Sequence, residues 1–184
     1  MAWTPIDTPL ITLCDMTAGK WLDELGLTNG TIFAYVMNNY WFTNYKAGQD
    51  GNFTFRYSLT SGQSMNPTAA SLFGESVVSP MRAVRIHTHR KDDRLPANKS
   101  LVQVEPQSVM ISTVKRADDG KGLMVRVHET AGRDTNAILT IGFAGITRAS
   151  RCDLVERIIE PIGLNNGTIS LKVKASSLTT VRLE

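Results

Sequence analysis

The chain has 184 residues, of which 42% are hydrophobic and 20% charged, a balance that folds rather than staying disordered and fills one good domain or two small ones. A net charge of +3, with cations scattered between strands outside Arg82–Arg94, is not the one-faced basic footprint of a nucleic-acid binder. No apolar run approaches the ~18 residues of a membrane span, and Cys14 and Cys152 are too few and too far apart for a secreted fold held by disulfides.

Met1-Ala2-Trp3-Thr4-Pro5 has no basic stretch followed by an apolar one, so it does not read as a secretory signal. A cytoplasmic setting with two buried, reduced thiols is the expectation. The four N-x-[ST] sequons, at Asn29, Asn52, Asn98 and Asn166, then carry no glycan; Asn29-Gly30 and Asn166-Gly167 read as turns.

Strand signals dominate the first part. Leu10–Leu13 is a short apolar run that ends at Cys14-Asp15. A turn at Thr28-Asn29-Gly30 leads into the longer run Thr31–Met37. Asn52–Leu59 alternates strictly, with Phe53, Phe55, Tyr57 and Leu59 on one face and Thr54, Arg56 and Ser58 on the other. That period of two predicts a half-buried strand. Pro67–Phe73, small and Ala-rich, predicts the one real helix, besides a short turn near Lys20–Leu25.

The composition changes at Pro80. Arg82, Arg85, His87, His89, Arg90, Lys91, Asp92, Asp93 and Arg94 crowd together before Pro96. This predicts a basic connecting segment over 81–100 between two β units, 1–80 and 101–184. Strands then recur at short intervals: Leu101–Val104, Val109–Val114, Leu123–His128, Ala137–Ile141, Ile146–Ser150, Arg157–Glu160, Ile169–Val173 and Thr179–Leu183. Asp118-Asp119-Gly120, Ala131–Asp134 and Asn165-Asn166-Gly167 supply turns between them. The fold class predicted is all-β, an antiparallel sandwich with little helix.

Candidate sites are few. Asn38-Asn39-Tyr40-Trp41-Phe42-Thr43-Asn44-Tyr45 is the densest polar–aromatic segment. Amides that hydrogen-bond hydroxyls, beside rings that stack on sugar C–H faces, would suit a carbohydrate surface. A strand-to-loop transition with Asn bracing the backbone and the aromatics in the core accounts for the same residues. His87-x-His89 puts two imidazoles on one strand face, but a metal needs a third ligand and only Asp92 or Asp93 is near. No metal site is therefore expected, and a metal-dependent enzyme built on His87 and His89 is the weakest reading. Glycoside hydrolysis needs a spaced carboxylate pair, and none stands out; Asp15, beside Cys14, reads as a turn-initiating residue. There is no G-x-S-x-G, P-loop or HExxH.

Several strings taken together carry a resemblance: Asp7-Thr-Pro-Leu-Ile-Thr-Leu-Cys-Asp15 with Gly19-Lys20-Trp21; Gly30 through Tyr45, then Phe53-Thr-Phe-Arg-Tyr57; Val104-Glu-Pro106, Val114 through Gly120 and Arg126 through Gly132; Cys152 through Glu156; and Thr179 through Leu183. In this order they resemble the C-terminal β region of glycoside hydrolase family 38, the α-mannosidases, most closely the bacterial type. The resemblance implies that residues 1–80 are the closing part of a large, galactose-mutarotase-like sandwich and 101–184 a small C-terminal β-sandwich. It implies a parent enzyme that cleaves terminal α-linked mannose with retention, so carbohydrate binding and mannose metabolism.

It also implies that the zinc and the nucleophilic aspartate sit on a barrel domain, which becomes the expected partner; this chain would hold no cofactor and no catalytic residue. Loops of the β region approach the substrate rim in such enzymes, which makes Asn38, Asn39, Tyr40, Trp41 and Asn44 candidates for contact with α-mannoside or for docking the barrel. Phe42 stands where many relatives have His. A barrel-docking face left bare predicts an exposed apolar patch on Met1–Phe73 and a route to homo-oligomers. The alternative is a free-standing carbohydrate-binding or protein-interaction β-sandwich.

Overall fold

Asn165 and Thr168 exchange both backbone hydrogen bonds at 2.9 Å around Asn166 (φ 48°) and Gly167 (φ 76°). This is the two-residue hairpin turn that an Asn-Gly pair favours, because both central residues need positive φ. The computed structural model describes residues 1–16, 22–37, 48–85 and 98–184. The chain forms two compact units, Met1–Met65 with Leu72–Arg82, and Asn66–Ser71 with Ala83–Glu184.

In the first unit, β1 (Ala2–Pro5) pairs antiparallel with β4 (Tyr57–Thr60), and β2 (Ile11–Leu13) with β3 (Ile32–Ala34). Trp3 stacks on Tyr57 with centroids 5.5 Å apart. Arg56 grips Asp7 through Nε and Nη2, both at 2.9 Å. Among the described residues of this unit only Ala2 and Thr8 are buried.

Here the structure corrects the strand expected over Asn52–Leu59. Only Tyr57–Thr60 is strand, since β1 is four residues long and pairs with no more of it. The face expected to be half-buried is so only at its middle: Phe55 is half-buried and Tyr57 lies against Trp3, but Phe53 is 49% exposed and Leu59 61%. The alternation marks an apolar face that the described residues of this unit cover only in part, through Trp3 on Tyr57. β1 itself escaped the sequence reading, and Leu22–Leu25, the described part of the expected turn near Lys20–Leu25, holds a bend but no helical turn.

Helix α1 (Pro67–Val78) starts where expected and runs on through Gly74. Asn66 Oδ1 accepts the Ala69 N–H at 2.8 Å as an N-cap, and Pro67 takes the first helical position, where its missing N–H costs nothing. Ser79-Pro80 ends it, because the residue before a proline is biased away from helix.

The second unit holds β5 (Val102–Glu105), β6 (Val109–Arg116), β7 (Leu123–Glu129), β8 (Thr135–Ile141), β9 (Ala149–Cys152), β10 (Ile158–Ile162), β11 (Thr168–Val173) and β12 (Leu178–Leu183). They form a five-stranded sheet, β10-β9-β12-β7-β6, and a three-stranded one, β11-β8-β5, antiparallel throughout. Val125, Val127, Val181 and Leu183 of the larger sheet share one core with Ala137, Leu139, Ile141, Ile169, Leu171 and Val173 of the smaller. Period-two alternation directs these side chains inward, and burying both inner faces together makes the sandwich. The eight strands expected here are all present, with ends moved by at most three residues. The register of β6 slips between Ile111 and Thr113, a bulge that the sequence did not announce.

Both cysteines are free; Cys152 is buried as expected, but Cys14 is only half-buried. Among the described residues no helix is long and apolar enough to cross a membrane.

Candidate functional site

The residues singled out in the sequence, Asn38, Asn39, Tyr40, Trp41 and Asn44, lie outside the described residues, as do His87 and His89. Tyr35, Val36 and Met37, which lead into the first group from β3, are all exposed. Asp15 is exposed, and its Oδ1 accepts the Met16 N–H at 2.7 Å, the local turn role expected of it.

The second unit carries its polar chemistry in three places. At one end of the sandwich, Glu129 is fully buried. Its Oε1 accepts the Ala131 N–H at 2.9 Å; Oε2 accepts those of Gly132 at 2.9 Å and of Arg133 and Ser176 at 3.1 Å. Burial pushes this carboxyl upward, but the N–H groups of Ser176, Ala131, Arg133 and Gly132 outweigh it and leave the pKa below the ordinary range. Beside it, Asp134 accepts the Ala175 N–H at 3.0 Å and binds Lys174 at 2.6 Å. The Lys174 ammonium is first among the causes that lower its pKa.

At the other end, buried Arg182 pairs with Asp119 at 2.8 Å and Glu184 at 3.0 Å. Lys115 bridges Asp118 and, at 2.6 Å, Glu156. The Asp118 N–H, before Lys115, is the main cause that holds the Glu156 carboxyl below its usual value. For Asp119 the Lys121 N–H comes first and Arg182 second. Burial pushes the Cys152 thiol up, which makes it a poor nucleophile.

The third feature is a groove of about 290 Å³ lined by Arg151, Asp153, Leu154, Lys172, Lys174 and Leu178 among others. Its charges are largely committed: Arg151 pairs with Glu160 at 3.2 Å, Lys174 with Asp134, and Asp153 Oδ1 accepts the N–H groups of Val155 and Arg157.

Chemically, these carboxylates are acceptors held in their charged form. A general acid in glycoside hydrolysis needs the reverse, a carboxyl whose pKa is raised; every shifted carboxyl among the described residues moves down. No group of three or more His, Cys, Asp or Glu that could hold a metal is gathered among them.

Glu129 and Arg182 were not singled out by sequence. The usable signal for Glu129 was its place at the end of an apolar strand just before Thr-Ala-Gly, where a tight turn leaves N–H groups in need of an acceptor. Arg182 lies between buried Val181 and Leu183, on the outer face of β12.

Residues 108–180 match the family described as glycosyl hydrolases family 38 C-terminal beta sandwich domain. The match takes in β6 to β11 and enters β12, and so nearly all of the sandwich just described. None of the curated proteins matches the chain.

Proposed function

We propose that the chain is the accessory C-terminal β region of a glycosyl hydrolase family 38 enzyme, α-mannosidase-like and acting on terminal α-linked mannose, and that it is not catalytic by itself. The observation that carries this reading is the family match over residues 108–180, which coincides with a folded antiparallel sandwich. The downward-shifted carboxyls support the non-catalytic part, being suited to bracing turns and not to donating protons.

In this reading the zinc and the nucleophile belong to a catalytic barrel that is the chain's partner. Residues 1–80 complete a larger galactose-mutarotase-like sandwich, and 81–100 connect it to the small one. Leu10, Leu25, Leu27 and Leu59, each about three-fifths exposed in a unit with so little buried, support docking of the first unit on that partner. Asn38, Asn39, Tyr40, Trp41 and Asn44 serve the substrate rim or the docking contact. Two free thiols are in keeping with a cytoplasmic, reducing setting.

Purified chain with added zinc should not hydrolyse an aryl α-mannoside; turnover that a chelator abolishes would overturn the non-catalytic assignment. In the barrel-bearing enzyme, Trp41→Ala should raise KM for the α-mannoside if the segment borders the substrate. If the segment docks the barrel, the same change should weaken association instead. An enzyme unchanged in both respects would remove the segment from the proposal.

A further inference from the structure

Asn29 and Gly30 lie between β2 and β3, both exposed. The Thr31 N–H donates to Asn29 Oδ1 at 2.9 Å, which folds the side-chain carbonyl back over the peptide that follows. Asn29 Nδ2 sits 3.5 Å from Thr28 Oγ1. A side chain at Gly30 would meet nothing within 4 Å. Among the described residues no backbone acceptor engages the Gly30 N–H.

We propose that Asn29–Gly30 is a self-modifying site, where the folded chain promotes its own deamidation. The Gly30 nitrogen gives its proton to water and bonds to Asn29 Cγ. Negative charge collects on Oδ1, where the Thr31 N–H is already placed to stabilise it. The Cγ–Nδ2 bond then breaks, and the nitrogen leaves as ammonia with a proton from the Thr28 hydroxyl, which water restores. Water opens the resulting cyclic imide. Cleavage at Cγ leaves aspartate; cleavage at the main-chain carbonyl leaves isoaspartate. The balance is one water consumed and one ammonia released, with no redox change.

The second Asn-Gly pair is an internal control. Asn166–Gly167 is locked by the paired bonds of Asn165 and Thr168, and the Gly167 carbonyl accepts the Ile141 N–H at 2.7 Å. Attack there needs the Asn166 main chain to rotate, which this closed turn resists. The product at Asn29 would matter locally. Cys14 Sγ donates to the Asn29 carbonyl at 2.9 Å, and the Cys14 N–H to Thr31 O at 2.8 Å. Isoaspartate lengthens the main chain between those two contacts and should loosen the β2–β3 pair.

Peptide mapping by mass spectrometry, after ageing the whole chain at neutral pH, tests this. Asn29 should deamidate at least about tenfold faster than Asn166 in the folded protein, a modest share of what one donor placed on a developing oxyanion gives. In urea the two rates should converge. Gly30→Ala, which meets no steric barrier, should slow the Asn29 reaction. Equal rates in the folded chain, or an Asn29 rate that rises in urea, would overturn the proposal.

Discussion

Glu129 Oε2 accepts the Ser176 N–H at 3.1 Å, and the Glu129 N–H donates to Ser177 O at 3.0 Å. These two bonds fasten the end of β7 to the turn before β12, while the same carboxylate gathers three N–H groups of its own β7–β8 turn. All four donors would lose their acceptor without the Glu129 carboxylate, which is itself fully buried. Glu129→Ala should therefore lower Tm by on the order of 10 °C in thermal unfolding. Glu129→Gln keeps the shape but presents an NH₂ to donors, and should recover little of the loss. An unchanged Tm in Glu129→Ala would show that the donors find other acceptors.

The pH dependence follows from the same group. A carboxyl whose folded pKa is depressed adds stability that is fully present above its unfolded pKa, about 4.3 for glutamate, and is lost as pH falls through the folded value. Asp119, Asp134 and Glu156 shift the same way. Tm should accordingly hold near neutrality and fall steeply below about pH 4.5. Glu129→Gln should flatten that slope, because the group that takes up the proton is gone; a slope as steep as wild type would assign acid lability to the other carboxylates.

What was legible in the sequence was local. Val125 and Val127 alternate with Arg126 and His128, and two of the four are buried as the pattern requires. Asn166-Gly167 announced its turn because the two residues alone meet its torsional demand. Glu129 was opaque because one of its donors lies 47 residues away, brought close only by the pairing of β7 with β12. Phe53–Leu59 misled in part for a different reason: alternation records which face a strand offers, not how much of it is covered. Asn38–Tyr45, His87 and His89 lie outside the described residues and stay as the sequence left them.

Two glycines should prove intolerant for reasons of space. Gly122 has φ 81°, and a Cβ there would lie 2.2 Å from Leu183 O, which belongs to a strand with both neighbours in place. Gly167 has φ 76°, with Ile141 O at 2.9 Å. Gly122→Ala should cost more than about 3 kcal/mol, since the backbone must move as well as strain, and Gly167→Ala about 1–3 kcal/mol. Gly62→Ala, with open space around it, is the neutral control. Urea titration checks the order; a Gly167→Ala variant worse than Gly122→Ala would contradict it.

The two units should respond oppositely to the loss of an apolar side chain. Leu139 is completely buried between the sheets and belongs to the core that both share, so Leu139→Ala should cost about 2–5 kcal/mol in denaturant unfolding. Leu59, 61% exposed, has little to lose in the chain alone, and Leu59→Ala should change stability by less than about 0.5 kcal/mol. If the first unit docks on a catalytic barrel, that same substitution should weaken the association, because an apolar group bare in one partner is covered in the complex. A Leu59→Ala variant that destabilises the isolated chain would show that the face is already covered within it; one that leaves the assembled enzyme untouched would place the docking surface elsewhere.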